Sequence, residues 1–293
     1  MKETIVTLEN ETHRARIYLN RGAKTGSFML KSTGFELLAQ PKDARYPPLR
    51  PGMPFSEGDA SGFDDVFPSM GEEIVILDGQ ERSMPDQGEI WTLPMRAEIS
   101  ENTATFIGNG RVFPYTYQKS VSLETDTLRY SYQIANRGQS PLPCVWVCHC
   151  LMRWEAGVRF EFPERSVELV HLFPDAETVV DRRNAERDYC HPPAPGRAMK
   201  FYFTEPVREG RCAAYYPQSG TMAEMLFDPE TLPYLGFWIT TGGYRGDQNF
   251  AFEPSNGFFD TIQRAKRQNR LRELAPGDKL CFDLAIRLRE NIE

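Results

Sequence analysis

Short runs in which apolar and polar residues alternate, separated by polar turns, recur along most of this chain. Period two is the signature of strands with one buried face. Thr4 to Leu8, Arg14 to Leu19, Gly26 to Leu30 and Phe35 to Ala39 read as a meander, punctuated by Arg21-Gly22 and Ser32-Thr33-Gly34. The clearest alternation lies in Tyr115 to Leu123 and Leu128 to Ile134, joined by Glu124-Thr125-Asp126 as a hairpin connection. Cys144 to Met152 is apolar on both faces, as expected of a central strand. Further pieces follow at Val158 to Phe162, Met199 to Phe203, Cys212 to Tyr216, Met222 to Phe227, Leu235 to Thr240 and Lys279 to Leu288. Phe259 to Gln268 is the one persuasive helix. The chain therefore reads as all-β.

One late stretch has two distinct faces. In Asn249-Phe250-Ala251-Phe252-Glu253, a strand puts Phe250 and Phe252 on one side and Asn249, Ala251 and Glu253 on the other. Pro254 lacks a ladder donor, so the strand is expected to end where Glu253 sits, leaving the carboxylate at a rim.

One long loop and two acidic, aromatic ones add to this picture. Residues 40 to 62 are rich in proline and glycine and long enough to suggest a functional excursion. Gly62-Phe63-Asp64-Asp65-Val66-Phe67-Pro68 and Pro85-Asp86-Gln87-Gly88-Glu89-Ile90-Trp91 mix acids, amides and aromatics, the combination that suits hydroxyls and C–H faces of sugars. Asp65, Gln87, Glu89, Trp91 and, on its strand, Trp238 are the candidate substrate contacts. Arg96 and Lys119 are read as solvated strand charges that could also meet an anionic sugar.

Composition narrows the function classes. A net charge of −7 lacks the basic surface that nucleic acid or an anionic membrane requires. No apolar run approaches the length of a spanning helix, and Met1-Lys2-Glu3-Thr4 lacks the apolar segment of an export signal, so a cytoplasmic protein is expected. The six cysteines then read as free thiols. Cys148, His149 and Cys150 are not expected to bind a metal, because neighbours on a strand point to opposite faces. No phosphate-binding or dinucleotide glycine motif is present, so no cofactor is expected.

His149 is the lone ionisable residue of the central strand, and its ordinary pKa suits proton transfer. With Glu253 it forms a possible acid–base pair; hydrolysis by paired carboxylates is the nearest competitor.

Taken in order, the motifs resemble the aldose 1-epimerase, or galactose mutarotase-like, family. The resemblance runs from Arg21-Gly22-Ala23 through the two loops just named, Pro114-Tyr115 to Leu123, and Asn136-Arg137-Gly138 to His149. It continues through Leu235-Gly236-Phe237-Trp238-Ile239 and Phe252-Glu253-Pro254 to Ala275-Pro276-Gly277. It implies one antiparallel β-supersandwich domain over 1–293, with few short helices and an open sugar cleft. It implies a monomer or homodimer acting on a small-molecule sugar without metal or cofactor. It also implies Glu253 as general base and His149 as general acid in ring opening that interconverts anomers. With ordinary values near about 4.3 and 6.5, His149 would need a nearby carboxylate to stay protonated at neutral pH. The chain departs from the family at Gln87, where many relatives carry histidine; glutamine can hydrogen-bond but cannot carry charge. A carbohydrate-binding protein without chemistry, or another sugar isomerase or lyase reaction, are the alternatives.

Overall fold

The computed structural model describes residues 3–43, 45–163, 168–173, 178–181 and 189–290. Residues 182–188, in the Arg-rich and Pro-rich stretch between Asp181 and Arg197, lie outside the described residues.

Two large antiparallel sheets face each other. The larger has twelve strands, and its path runs Ile5–Glu9, His13–Tyr18, Lys24–Leu30, Phe63–Val66, Val147–Cys150, Gln248–Ser255, Tyr234–Thr241, Ala198–Phe203, Glu168–Phe173 and Thr178–Asp181. Phe35–Glu36 and Met152–Arg153 pair onto it beside that path. The eight-stranded sheet runs Arg159–Glu161, Arg211–Tyr216, Thr221–Phe227, Lys279–Glu290, Thr127–Asn136, Tyr115–Glu124, Thr103–Asn109 and Arg96–Ser100. Each strand turns one row of side chains inward. Together they make one hydrophobic cluster that reaches from Val6 to Leu288 and contains Phe250, Phe252, Tyr130 and Trp146. The all-β antiparallel supersandwich expected from the sequence is the observed architecture.

The expected central strand Cys144 to Met152 is broken into Leu142–Cys144, Val147–Cys150 and Met152–Arg153. The interruptions occur where backbone donors leave the ladder. Val145 N donates to Pro68 O at 2.7 Å, and Trp146 N to Asn256 Oδ1 at 2.6 Å. The helix is shorter than its pattern, Ile262–Arg267, and is capped by Thr261, whose side chain accepts from Arg264 N at 3.2 Å. No helix among the described residues is long and apolar enough to cross a membrane.

Candidate active site

The strand Gln248–Ser255 positions the site. Phe250 and Phe252 enter the inter-sheet core, while Asn249, Ala251 and Glu253 face away from it, as alternation requires. The strand does not end at Glu253. Pro254 stands opposite Leu235 and Ser255 opposite both Tyr234 and Val147, so the carboxylate is two residues inside the strand and only 1 % exposed. A proline is accommodated here because the ladder continues from the residues on either side of it.

Register aligns the neighbours of Glu253. Gly236 lies opposite it, with Tyr202 opposite Gly236 on the following strand. The adjacent row is Ala251, Trp238 and Lys200. Glycine is required at 236 by contact rather than by backbone angle: a Cβ there would lie 2.8 Å from Tyr202 Cζ and 3.1 Å from Glu253 Oε2. The carboxylate therefore leans over a bare backbone towards Lys200. Lys200 Nζ is 3.0 Å from Glu253 Oε2 and 3.0 Å from Asp260 Oδ1. Beyond this ion pair, Glu253 Oε2 has no hydrogen-bond partner among the described residues. Tyr202 Oη donates to Asp260 Oδ1 at 3.0 Å and fixes the second acid.

These groups open into a cavity lined by His149, Glu253, Lys200, Gln87, Trp238 and Asn249, with Phe55 and Leu151 among its apolar walls. His149 faces it from the strand Val147–Cys150, whereas Cys148 and Cys150 turn into the core. Phe55 meets the imidazole edge-on, with ring centroids 5.1 Å apart. Trp238 Nε1 donates to Asn249 Oδ1 at 3.1 Å, and Asn249 Nδ2 donates to Ala60 O at 3.2 Å, so this pair is a rigid wall. His149 Nδ1 and Gln87 Oε1 are buried without hydrogen-bond partners among the described residues. Buried polar atoms normally have partners, so both mark places where a polar ligand would bind.

Burial and charge set the protonation states. Desolvation raises Glu253 to about 6, with Lys200 opposing the rise and Asp260 adding to it. Desolvation pulls His149 down to about 3, and the cations Lys200 and Lys24 push in the same direction. Among the described residues no carboxylate keeps the imidazole protonated: the charged groups acting on it are the cations Lys200 and Lys24. At neutral pH the cavity holds a glutamate and a neutral histidine. Burial pulls Lys200 down, but Asp260 and Glu253 outweigh it and hold the ammonium above its ordinary range.

The candidate contacts divide into two groups. Gln87 and Trp238 line the cavity. Gln87 adopts φ 60°, its N–H donates to Met70 O at 2.7 Å, and Gly88 beyond it is pressed against Phe67 O, where a Cβ would sit 2.2 Å away. Glu89 and Trp91 do not face the cavity but buttress this loop. Glu89 Oε1 accepts from Arg111 N and Val112 N at 3.1 and 2.8 Å, and Trp91 Nε1 donates to Asp86 O at 3.1 Å. Asp65 is also corrected. It stands opposite Cys148 and so faces the core, 2.7 Å from Lys119 Nζ, while Asp64 stands opposite His149 and pairs with Lys24 at 2.7 Å. Lys119, expected in solvent, is fully buried; Arg96 is exposed. Sequence reasoning missed Lys200 and Phe55. Their link to Glu253 and His149 depends on contacts between residues about fifty or more apart in sequence.

No protein-family model matches the chain, and no curated protein matches it. Solved structures do. A protein from Synechocystis sp. PCC 6803 superposes with a TM-score of 0.80 at 15 % identity, over 99 % of this chain and 97 % of its own. A proposed aldose 1-epimerase from Escherichia coli K12 gives 0.78 at 17 %, over 99 % and 100 %. A galactose mutarotase-like protein from Lactobacillus casei ATCC 334 gives 0.73 at 16 %, over 98 % and 100 %. The fold is galactose mutarotase-like.

Proposed function

We propose that this protein is an aldose 1-epimerase-like isomerase that interconverts the α and β anomers of a hexose or hexose derivative. The observation that carries the reading is Glu253. It is a buried carboxylate raised to about 6, inside a cavity walled by Trp238 and shared with His149. A base whose pKa lies just below neutrality is ionised at working pH yet still strong enough to accept a proton.

In this reading Glu253 takes the proton from the anomeric hydroxyl. The C1–O5 bond breaks as its electron pair goes to O5, which gains a proton, the C1–C2 bond rotates, and the ring closes on the opposite face by the reverse transfers. His149, held neutral, bonds the ring-oxygen side of the sugar instead of acting as an imidazolium. Gln87 offers its amide to a hydroxyl, and Trp238 offers its face to the C–H surface of the ring.

Anomer exchange followed by NMR or polarimetry over a panel of free sugars and derivatives tests this. The wild type is expected to accelerate exchange of at least one sugar, and Glu253→Gln to lower kcat by about 10²–10⁴-fold. Equal rates with and without the wild type across the panel would sink the proposal.

A second reading, a sugar-binding protein without chemistry, is favoured by glutamine at 87 and by a histidine that carries no charge at neutral pH. Calorimetry showing tight binding of a sugar whose exchange is not accelerated would select it.

A further inference from the structure

We infer that Lys200 is the group that hands a proton to the sugar's ring oxygen, so that Glu253 and Lys200 act together as a paired base and acid. The inference deepens the anomer-exchange reading and rests on it.

The geometry starts from the sugar. The hydroxyl that must lose a proton and the ring oxygen that must gain one are both bonded to C1. A base and an acid serving them together must therefore open onto the same part of the cavity. Glu253 Oε2 and Lys200 Nζ are neighbours at 3.0 Å, and both line the cavity. Lys200 is also the one cation among the described lining residues. It reaches the cavity from the strand Ala198–Phe203, where it stands opposite Trp238, whose face is proposed to meet the sugar.

The groups around Lys200 prepare it for one use. Glu253 faces it from two strands away, across Gly236, and Asp260 from the turn beyond; Met70 Sδ accepts from Nζ at 2.8 Å, and Tyr202 Oη holds Asp260. Two carboxylates keep the amine protonated. It is therefore unsuited to attack the open-chain aldehyde as a nucleophile, because an ammonium has no free electron pair. It becomes a better acid when needed: once Glu253 accepts the anomeric proton, Lys200 loses one of its two counter-charges. Burial, and after it the cations Lys200 and Lys24, all act against a charge on His149.

The step balances. Glu253 takes the O1 proton, and the electrons of that bond form the C1=O1 carbonyl. The C1–O5 pair goes to O5, and O5 takes a proton from Lys200. The products are a protonated Glu253, a neutral Lys200 amine and the open-chain aldehyde. After rotation, closure runs the same transfers backwards.

Kinetics of the full chain with the sugar found active in the panel tests this. Lys200→Met and Lys200→Arg are both expected to lower kcat at least about 100-fold with a small change in KM, and methylammonium to restore part of the rate of Lys200→Ala. Arginine keeps the positive charge but cannot surrender a proton, so it separates donation from charge balancing. Wild-type-like kcat in Lys200→Arg would reduce Lys200 to a positioning residue for Glu253 and overturn the inference. Unchanged kcat in Lys200→Met would also overturn it.

If the variants do not fold, the wild-type pH profile decides. A rate that rises as Glu253 ionises near 6 and stays level to above about pH 9 supports Lys200 as donor. A rate that peaks between about 3 and 6 and falls by neutral pH points to His149 instead. A wild type with no activity on any sugar refutes the functional reading itself, which is a different result from an active wild type indifferent to Lys200.

Discussion

Gly236 shows how closely the site is drawn. The position has room for no side chain, because Tyr202 lies on one side of it and the Glu253 carboxylate on the other. Gly236→Ala should therefore push the carboxylate out of line with Lys200 and overpack the strand. The expected result is a loss of stability of about 1–3 kcal/mol, read from denaturant midpoints, with a fall in kcat larger than the change in KM. A variant with wild-type kcat would mean that the carboxylate does not depend on this close approach. At this scale much of the site was legible. Alternation alone separated Asn249, Ala251 and Glu253 from Phe250 and Phe252, and made His149 conspicuous in an apolar strand. Lys200 was not legible. It sits in the run Met199-Lys200-Phe201-Tyr202-Phe203, where a lysine on the polar face looks like ordinary solvation. Its meaning comes from Glu253 and Asp260, which chain folding brings beside it.

At the scale of elements, the strand Tyr115–Glu124 carries a buried ion pair where a hydrophobic residue would fit the pattern. Lys119 Nζ contacts Asp65 Oδ2 at 2.7 Å and Ala23 O at 3.3 Å, and it lies over the ring of Phe63 at 4.6 Å. Period two had already put Lys119 in line with Tyr115, Tyr117, Val121 and Leu123. The charge of the residue, not the pattern, suggested solvent. Asp65 was misread for a related reason: two adjacent acids on one strand must face opposite sides, and the motif does not say which meets the ligand. The pair ties the two sheets together, because the strand Phe63–Val66 belongs to one and Tyr115–Glu124 to the other. Lys119→Met should cost about 3–5 kcal/mol by leaving Asp65 buried without its partner. The double variant Lys119→Met with Asp65→Leu should recover most of that loss, as measured in a urea double-mutant cycle. Additive losses in the cycle would show that the two side chains do not act as a pair. The broken central strand has a similar lesson. Nothing local in Cys144 to Met152 announces that Pro68 and Asn256 will take its backbone donors.

For the whole molecule, His149 and Glu253, two of the buried ionisable groups of the cavity, make stability depend on pH in opposite directions. Stability rises with pH wherever the unfolded chain binds more protons than the folded one. His149 falls from its ordinary 6.5 to about 3 on folding. Between those values the unfolded chain holds a proton that the folded protein refuses, so its contribution grows as pH rises and is lost as pH falls towards 3. Glu253 moves from its ordinary 4.5 up to about 6. Between 4.5 and 6 the folded protein holds the extra proton, so its contribution shrinks as pH rises. The two effects oppose each other from 4.5 to 6, and below 4.5 the histidine acts without that opposition. Unfolding free energies measured by denaturant at closely spaced pH values should separate them. Relative to the wild type, His149→Leu should flatten the pH dependence by about one proton between 3 and 4.5. Glu253→Gln should steepen it by about one proton between 4.5 and 6, because removing the carboxylate leaves the histidine unopposed. The remaining carboxylates contribute equally to variant and wild type, so they cancel in the difference. Parallel curves for both variants would mean that the cavity admits enough water to restore ordinary titration. That outcome would also remove the physical basis for Glu253 as a base tuned by burial, since its elevation depends on the same exclusion of solvent that suppresses the charge of His149.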